Sequence, residues 1–182
     1  TTLPVTLADT LYHTRCVVAG CSRPLVVADL PFGTFQGRAE DACAAGVAAL
    51  QAGAQMVKVE GGAWMAPTVE YLVRRGIPVC GHVGLTPQSV MLLGGYKAQG
   101  RTAAQAHRFY EAAVALERAG CFALVLEAVP PPVAARITDA LGGVPGVAGV
   151  RGLGLLIAVE LADVPAPAVA AATPPPPAPT PP

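Results

Sequence analysis

Residues 77–101 read IPVCGHVGLTPQSVMLLGGYKAQGR, a short apolar run that meets a glycine at position 81 and continues as a long polar, glycine-rich segment. The segment carries five side chains able to bind or react: His82, Gln88, Tyr96, Lys97 and Arg101. Loops of this composition on a rigid scaffold are typical of binding sites, and the length disfavours an ordinary connector. We predict a strand over 77–80, ended at Gly81, and a binding loop within reach of its end.

Strands and helices alternate on both sides of this segment. Apolar runs predict strands over 24–29, 56–60, 77–81 and 121–127, and helical patterns with capping signals predict helices over 6–19, 39–52, 67–75, 102–119 and 131–141. Because βαβ units are right-handed, this alternation predicts a parallel sheet covered by helices. An open doubly wound sheet is the alternative, but no GxGxxG follows a strand. We expect an α/β fold, a partial (β/α)8 TIM-type barrel with about four βα units of parallel sheet.

Four predicted strands end in a polar residue: Asp29, Glu60, His82 and Glu127. In a barrel the C-terminal ends of the strands share one face, where catalytic groups gather. Lys58 lies two residues before Glu60, so the period of two places both side chains on the same side of their strand. We expect all of these groups to lie on one rim of the sheet.

Converging carboxylates suit a hard divalent ion, most simply Mg²⁺. Such an ion polarises the carbonyl of a small acid while another carboxylate removes a neighbouring proton. The residues therefore indicate metal-assisted proton abstraction next to a carbonyl. The alternative is structural, a salt bridge between Lys58 and Glu60 that fills a barrel layer.

The composition excludes several classes of function. The net charge is zero and only 13% of the residues are charged, which gives no electrostatic footprint for nucleic acid or an anionic membrane. There is no apolar run of membrane-spanning length and no secretory signal pattern. The five cysteines form no CxxC pair, so we expect a reduced, cytoplasmic protein without structural zinc.

Six motifs resemble ketopantoate hydroxymethyltransferase, the 3-methyl-2-oxobutanoate hydroxymethyltransferase family of pantothenate biosynthesis. They are LPVTLAD at 3–9, ADLPF at 28–32, VKVEGG at 57–62, VCGHVGLTPQS at 79–89, GGYKAQGR at 94–101 and LEAVP at 126–130. The resemblance runs almost without a gap from residue 2 to about 145.

This resemblance implies a (β/α)8 barrel that binds Mg²⁺ and transfers a hydroxymethyl unit from 5,10-methylenetetrahydrofolate to 3-methyl-2-oxobutanoate. Carried over by motif, Asp29 and Glu60 belong to the metal site, with Glu60 acting through water, and Asp29 and Lys58 contact the keto acid. Glu127 is the proton-abstracting base and His82 supports the site. The family also implies a homo-oligomer, with small molecules rather than nucleic acid or membrane as partners.

The resemblance is incomplete at both ends. The family has an earlier Gly-Asp-Ser segment with a further metal ligand and serine, and we expect this chain to be truncated before it and divergent after about residue 145. We predict a barrel domain over 1–145, a divergent segment over 146–164 and a disordered Pro-rich tail over 165–182. Residues 150–161 resemble a strand segment of acetylornithine-type aminotransferases, although a stray apolar strand is preferred. The competing functional hypothesis is a catalytically incompetent half-barrel that acts only as a structural or association fragment.

Overall fold

The computed structural model describes residues 3–142, 147–153 and 156–161, and side chains up to residue 141. The described residues form six α-helices and six strands. The helices are α1 (Leu7–Gly20), α2 (Ala39–Gln51), α3 (Ala66–Val73), α4 (Val90–Leu93), α5 (Ala103–Arg118) and α6 (Pro131–Gly142). The strands are β1 (Val27–Asp29), β2 (Met56–Glu60), β3 (Val79–Gly84), β4 (Ala123–Glu127), β5 (Val147–Leu153) and β6 (Leu156–Leu161). Short 3₁₀ turns precede α3 and α4, at Ala63–Met65 and Pro87–Ser89.

The sheet has the order β1-β2-β3-β4-β6-β5, and its first four strands are parallel. Two of the predicted helix starts are confirmed, because Thr6 with Asp9 and Thr102 with Gln105 both form complete capping boxes. The core lies between the sheet and its helices, and its largest fully buried side chains include Phe35, Leu72 and Leu116. The predicted α/β architecture of four βα units is confirmed.

The last two strands depart from an all-parallel sheet. β6 pairs antiparallel with both β4 and β5, so β5 runs in the same direction as β4 with β6 between them. Only residues 154–155 separate β5 from β6, and parallel neighbours need a crossover of a dozen or more residues. The single stray strand expected over 150–161 is therefore wrong: the segment contributes to two strands. The Pro-rich tail over 165–182 lies outside the described residues.

Gly81 does not end its strand, contrary to the sequence prediction. It pairs with Val59 on one side and Leu124 on the other, in the middle of β3. A Cβ at this position would come within 3.0 to 3.2 Å of the side chains of Leu124, Cys121 and Leu116. Glycine is needed here because helix α5 and strand β4 pack tightly against the strand. His82 consequently lies inside the strand, which continues to Gly84.

Candidate active site

The register of the sheet brings the polar strand ends together. Asp29 is the partner of Lys58, Glu60 is the partner of His82, and Glu127 is the partner of Gly84. Register partners in neighbouring strands share a face of the sheet. The predicted rim of polar side chains is therefore present, at the C-terminal ends of the four parallel strands.

These side chains form one continuous chain of polar contacts. Lys58 Nζ lies 2.9 Å from Asp29 Oδ2, 3.6 Å from Glu60 Oε1 and 3.4 Å from His82 Nδ1. His82 in turn lies 3.5 Å from Glu60 Oε1 through Nδ1 and 3.2 Å from Glu127 Oε2 through Nε2. The order Asp29, Lys58, Glu60, His82, Glu127 thus crosses all four parallel strands. The predicted ion pair between Lys58 and Glu60 is one contact within this larger cluster.

Exposure differs sharply along the cluster. The side chains of Glu60 and His82 are 2% exposed, whereas those of Glu127 and Asp29 are 34% and 46% exposed. The two ends of the cluster therefore reach solvent while its centre is dry. A small molecule can approach Asp29 and Glu127, whereas Glu60 and His82 are shielded from solvent.

The pKa values of the two acids that contact Lys58 shift in opposite directions. Burial disfavours the ionised form of Glu60, but the adjacent His82 ring, the hydrogen bond from the Gln88 backbone N–H and the Lys58 charge outweigh it and lower the pKa of this carboxyl. Partial burial raises the pKa of Asp29, although the Lys58 ammonium opposes the shift. The folded protein thus favours the ionised form of Glu60, whereas it makes Asp29 easier to protonate.

Gln88 is a loop residue that reaches the cluster. Its backbone N–H donates to Glu60 Oε2 at 2.9 Å, and its side-chain amide donates to the Leu30 carbonyl at 2.8 Å. Gln36 donates to the Gln88 side-chain oxygen at 3.1 Å. Gln88 therefore ties the loops after β1 and β3 to the buried carboxylate. Gln36 was missed from the sequence, because nothing in an exposed turn marks a residue that will meet another loop.

The side chains of the other loop candidates make no ion pair or hydrogen bond with the cluster in the described residues. Tyr96, Lys97 and Arg101 are exposed, and within the described part of the chain neither cation forms an ion pair with a strand-end carboxylate. After helix α4 and a left-handed turn at Gly94, the loop returns to the end of β4, where the Gln99 N–H donates to the Ala128 carbonyl at 2.8 Å. The expectation that these three side chains act at the strand ends therefore stays a prediction.

A cavity of about 300 Å³ lies next to the cluster, between α1 and β1. It reaches Asp29 and Gln88, and its walls also include Thr10 and His13. Lys58, His82 and Glu127 do not line it. The cavity thus gives access to one end of the cluster.

Cys80 lies on β3 close to Lys58 and Asp29 and is buried. Burial raises the pKa of its thiol to about 11, and burial also raises the pKa of Cys121. A thiol that stays protonated at neutral pH is a poor nucleophile and metal ligand. Both cysteines are therefore packing residues, as free thiols in apolar surroundings usually are.

Parallel strands that carry an acid, a lysine, a histidine and a second acid at their C-terminal ends have the arrangement typical of the active-site face of α/β barrel enzymes. The family model for ketopantoate hydroxymethyltransferase matches residues 1–151, and this chain belongs to that family.

The relatives agree with this assignment. The chain is 56% identical over 142 residues to the 3-methyl-2-oxobutanoate hydroxymethyltransferase of Dechloromonas aromatica (strain RCB) and 58% identical over 141 residues to that of Burkholderia mallei (strain SAVP1). Each alignment covers 78% of this chain and 52% of the relative. The chain thus spans about half the length of the curated relatives it matches.

A solved structure supports the fold. The crystal structure of 2,3-dimethylmalate lyase, a member of the PEP mutase/isocitrate lyase superfamily, superposes with a TM-score of 0.51 at 16% identity. The match covers 78% of this chain and 48% of that one. No helix in the described residues is both long and apolar enough to cross a membrane.

Proposed function

We propose that this chain binds 3-methyl-2-oxobutanoate and performs the proton-transfer chemistry of hydroxymethyl transfer from 5,10-methylenetetrahydrofolate, which yields ketopantoate in pantothenate biosynthesis. The observation that carries the proposal is the continuous cluster from Asp29 to Glu127 in a chain of this family. The barrel domain at 1–145, a homo-oligomeric assembly and a cytoplasmic location are part of the same proposal and rest on the family resemblance.

Glu127 is the proposed base that removes the hydrogen from C3 of the keto acid. It is the last residue of β4 and its side chain is partly open to solvent. Its Oε2 faces His82, so Oε1 is the oxygen left to accept the proton. As the C3–H bond breaks, its electron pair moves into the C2–C3 bond and negative charge develops on the keto oxygen. A base held at the rim needs only a short movement of substrate to reach that hydrogen.

Lys58 is the proposed electrostatic partner of the substrate, together with Asp29. An ammonium group near the keto acid stabilises both its carboxylate and the enolate that deprotonation creates. Its side chain is only 20% exposed, and the limited contact with water strengthens that interaction. Asp29 fixes the position of the ammonium through their 2.9 Å contact.

Mg²⁺ is the proposed metal, and the fit of the donors limits how it is held. Both oxygens of Glu60 are already engaged, Oε2 by the Gln88 N–H and Oε1 by Lys58 and His82. Glu60 therefore suits a contact through water, whereas Asp29 has Oδ1 outside its ion pair and is open to solvent. The described residues contain no group of three acidic, histidine or cysteine ligands. Mg²⁺ accepts such a site because it keeps several waters and takes few carboxylates, and when bound it would polarise the keto oxygen.

Hydrogen exchange at C3 of the keto acid tests this function without the folate. The chain is incubated with 3-methyl-2-oxobutanoate and Mg²⁺ in deuterated water, and loss of the C3 proton signal is followed by NMR. We expect exchange with the parent chain, and none with Glu127→Gln, which keeps keto-acid binding by calorimetry. Glu111→Gln is the matched control, because that carboxylate is exposed on α5. A Glu127→Gln variant that exchanges at the parent rate assigns the base elsewhere, and a parent without exchange leaves the structural half-barrel as the better description.

A further inference from the structure

His82 is a fully buried ring with a different partner at each nitrogen. Its Nδ1 lies 3.4 Å from Lys58 Nζ and 3.5 Å from Glu60 Oε1, and its Nε2 lies 3.2 Å from Glu127 Oε2. A neutral imidazole donates through one nitrogen and accepts through the other. The positions of these three neighbours therefore decide which nitrogen carries the hydrogen.

The neighbours of Nδ1 favour an unprotonated nitrogen that accepts a hydrogen bond. An ammonium group has three hydrogens and no acceptor, so a hydrogen on Nδ1 would face the hydrogens of Lys58. The contact between Lys58 Nζ and Nδ1 has hydrogen-bond geometry, whereas the contact between Nδ1 and Glu60 meets only the distance of an ion pair. Lys58 Nζ also lies 3.6 Å from Glu60 Oε1, so its positive charge offsets the repulsion between that oxygen and an unprotonated Nδ1. Nδ1 is thus best placed to accept from Lys58.

The neighbour of Nε2 favours a protonated nitrogen that donates a hydrogen bond. Nε2 is buried and, among the described residues, has no partner with hydrogen-bond geometry, because Glu127 Oε2 is close but out of line. An unprotonated Nε2 would set two acceptors 3.2 Å apart, which repel each other. With a hydrogen on Nε2 the same approach becomes attractive, and a small rotation of the partly exposed Glu127 side chain aligns it.

We propose that Lys58 holds the neutral His82 ring in the form protonated at Nε2, and that this N–H positions the carboxylate of Glu127 through its Oε2 oxygen. His82 is then a positioning residue that leaves Oε1 directed at the substrate. The part of this inference that concerns substrate deprotonation rests on the proposed function, whereas the protonation state of the ring does not.

Nitrogen NMR of the imidazole rings in the metal-free chain tests the protonated form directly. The chain has three histidines, and the His82→Gln spectrum identifies the signals of the buried one. We expect a protonated Nε2 and an unprotonated Nδ1, distinguished by their couplings to the ring hydrogens. In Lys58→Met the preference for Nε2–H should fall, because Nδ1 can then donate to Glu60. A ring protonated at Nδ1 in the parent, or an unchanged pattern in Lys58→Met, overturns the assignment.

Two replacements of His82 test its action on Glu127. The amide of glutamine reaches the position of Nε2, whereas that of asparagine reaches only the position of Nδ1. We expect C3 exchange to fall about 10- to 100-fold in His82→Asn, with keto-acid affinity changed much less, and to be retained within about tenfold in His82→Gln. Equal rates in the two variants, or a loss that lies in affinity alone, refutes the positioning role. If the parent itself shows no exchange, the proposed function fails, and the NMR result still decides the state of the ring.

Discussion

Gly84 lies directly opposite Glu127 at the ends of β3 and β4, and the Glu127 carbonyl occupies the space that a Cβ of residue 84 would need. The same carbonyl accepts the Leu85 N–H at 2.8 Å, so the chain turns away from the sheet against the backbone of the proposed base. Gly84 also has a φ of +97°, a backbone angle that residues with a Cβ rarely adopt. The position of Glu127 therefore depends on the absence of a side chain one strand away.

Gly84→Ala should lower the free energy of unfolding by about 3 to 4 kcal/mol, because it combines a backbone clash with a left-handed conformation. Gly94→Ala is the matched control: its φ is +70° but no atom lies within 4 Å of the added Cβ. That variant should lose about 1 kcal/mol. Urea unfolding measures both, and equal losses would show that the contact with Glu127 does not constrain the fold.

Glu60→Gln should destabilise the chain by about 2 kcal/mol at pH 7, since it removes a charge that accepts buried hydrogen bonds. The folded state lowers the pKa of Glu60, so its contribution is present above the ordinary value of 4.5 and disappears as the pH falls through the folded pKa. The deficit of the variant should therefore shrink in acid. Unfolding curves at pH 7 and at pH values below 4.5 check this, and a deficit that does not depend on pH argues against an ionised Glu60 in the folded state.

Asp29→Asn should change the free energy of unfolding in the opposite direction from Glu60→Gln. The folded state raises the pKa of Asp29, so this group favours folding below its ordinary value of 3.8 and that contribution is lost as the pH rises through the folded pKa. At pH 7 the neutral amide should give a small gain in unfolding free energy, while Mg²⁺-dependent binding of the keto acid is lost. Unfolding and calorimetry on one sample separate the two effects. A variant less stable than the parent at pH 7 would show that the Lys58 ion pair dominates.

Gln88→Ala should cost about 1 to 3 kcal/mol, because the buried Leu30 carbonyl loses its donor and Gln36 loses its acceptor. The N–H of residue 88 still reaches Glu60, so the change affects the link between loops rather than the carboxylate itself. Gln99→Ala is the control, since its amide bonds the exposed Lys97 carbonyl, and it should change stability by less than about 0.5 kcal/mol. Matching losses in thermal unfolding would remove Gln88 as the connection between the loops.

A chain that ends at residue 142 should self-associate. Removing β5 and β6 uncovers the backbone of β4, because all five residues from Ala123 to Glu127 pair with β6. Unpaired strand edges recruit other strands. Sedimentation velocity should reveal higher oligomers that a chain ending at Leu161 lacks, and identical behaviour of the two chains would show that the antiparallel pair does not protect the edge.

Local signals were sufficient for most of the framework. Capping pairs such as Thr102 with Gln105 and stop glycines such as Gly120 act within one turn of chain, so the sequence locates helix ends directly. The acids at 29, 60 and 127 follow apolar runs, and parallel topology alone aligns them on one rim. The prediction that Gly81 ends its strand failed because the reason for a glycine there lies far away in the sequence. The side chains that leave no room for a Cβ at position 81 come from residues 116–124.

The sequence by itself therefore determined the succession of βα units, the family and the polar strand ends, since these depend on periodicity and on motifs that are contiguous in the chain. Only the tertiary structure decided which of those groups touch. It placed His82 between Glu60 and Glu127, brought Gln36 to Gln88, and inserted β6 between β4 and β5. Contacts of this kind depend on strand register and on the packing of residues far apart in the chain, which no local pattern encodes.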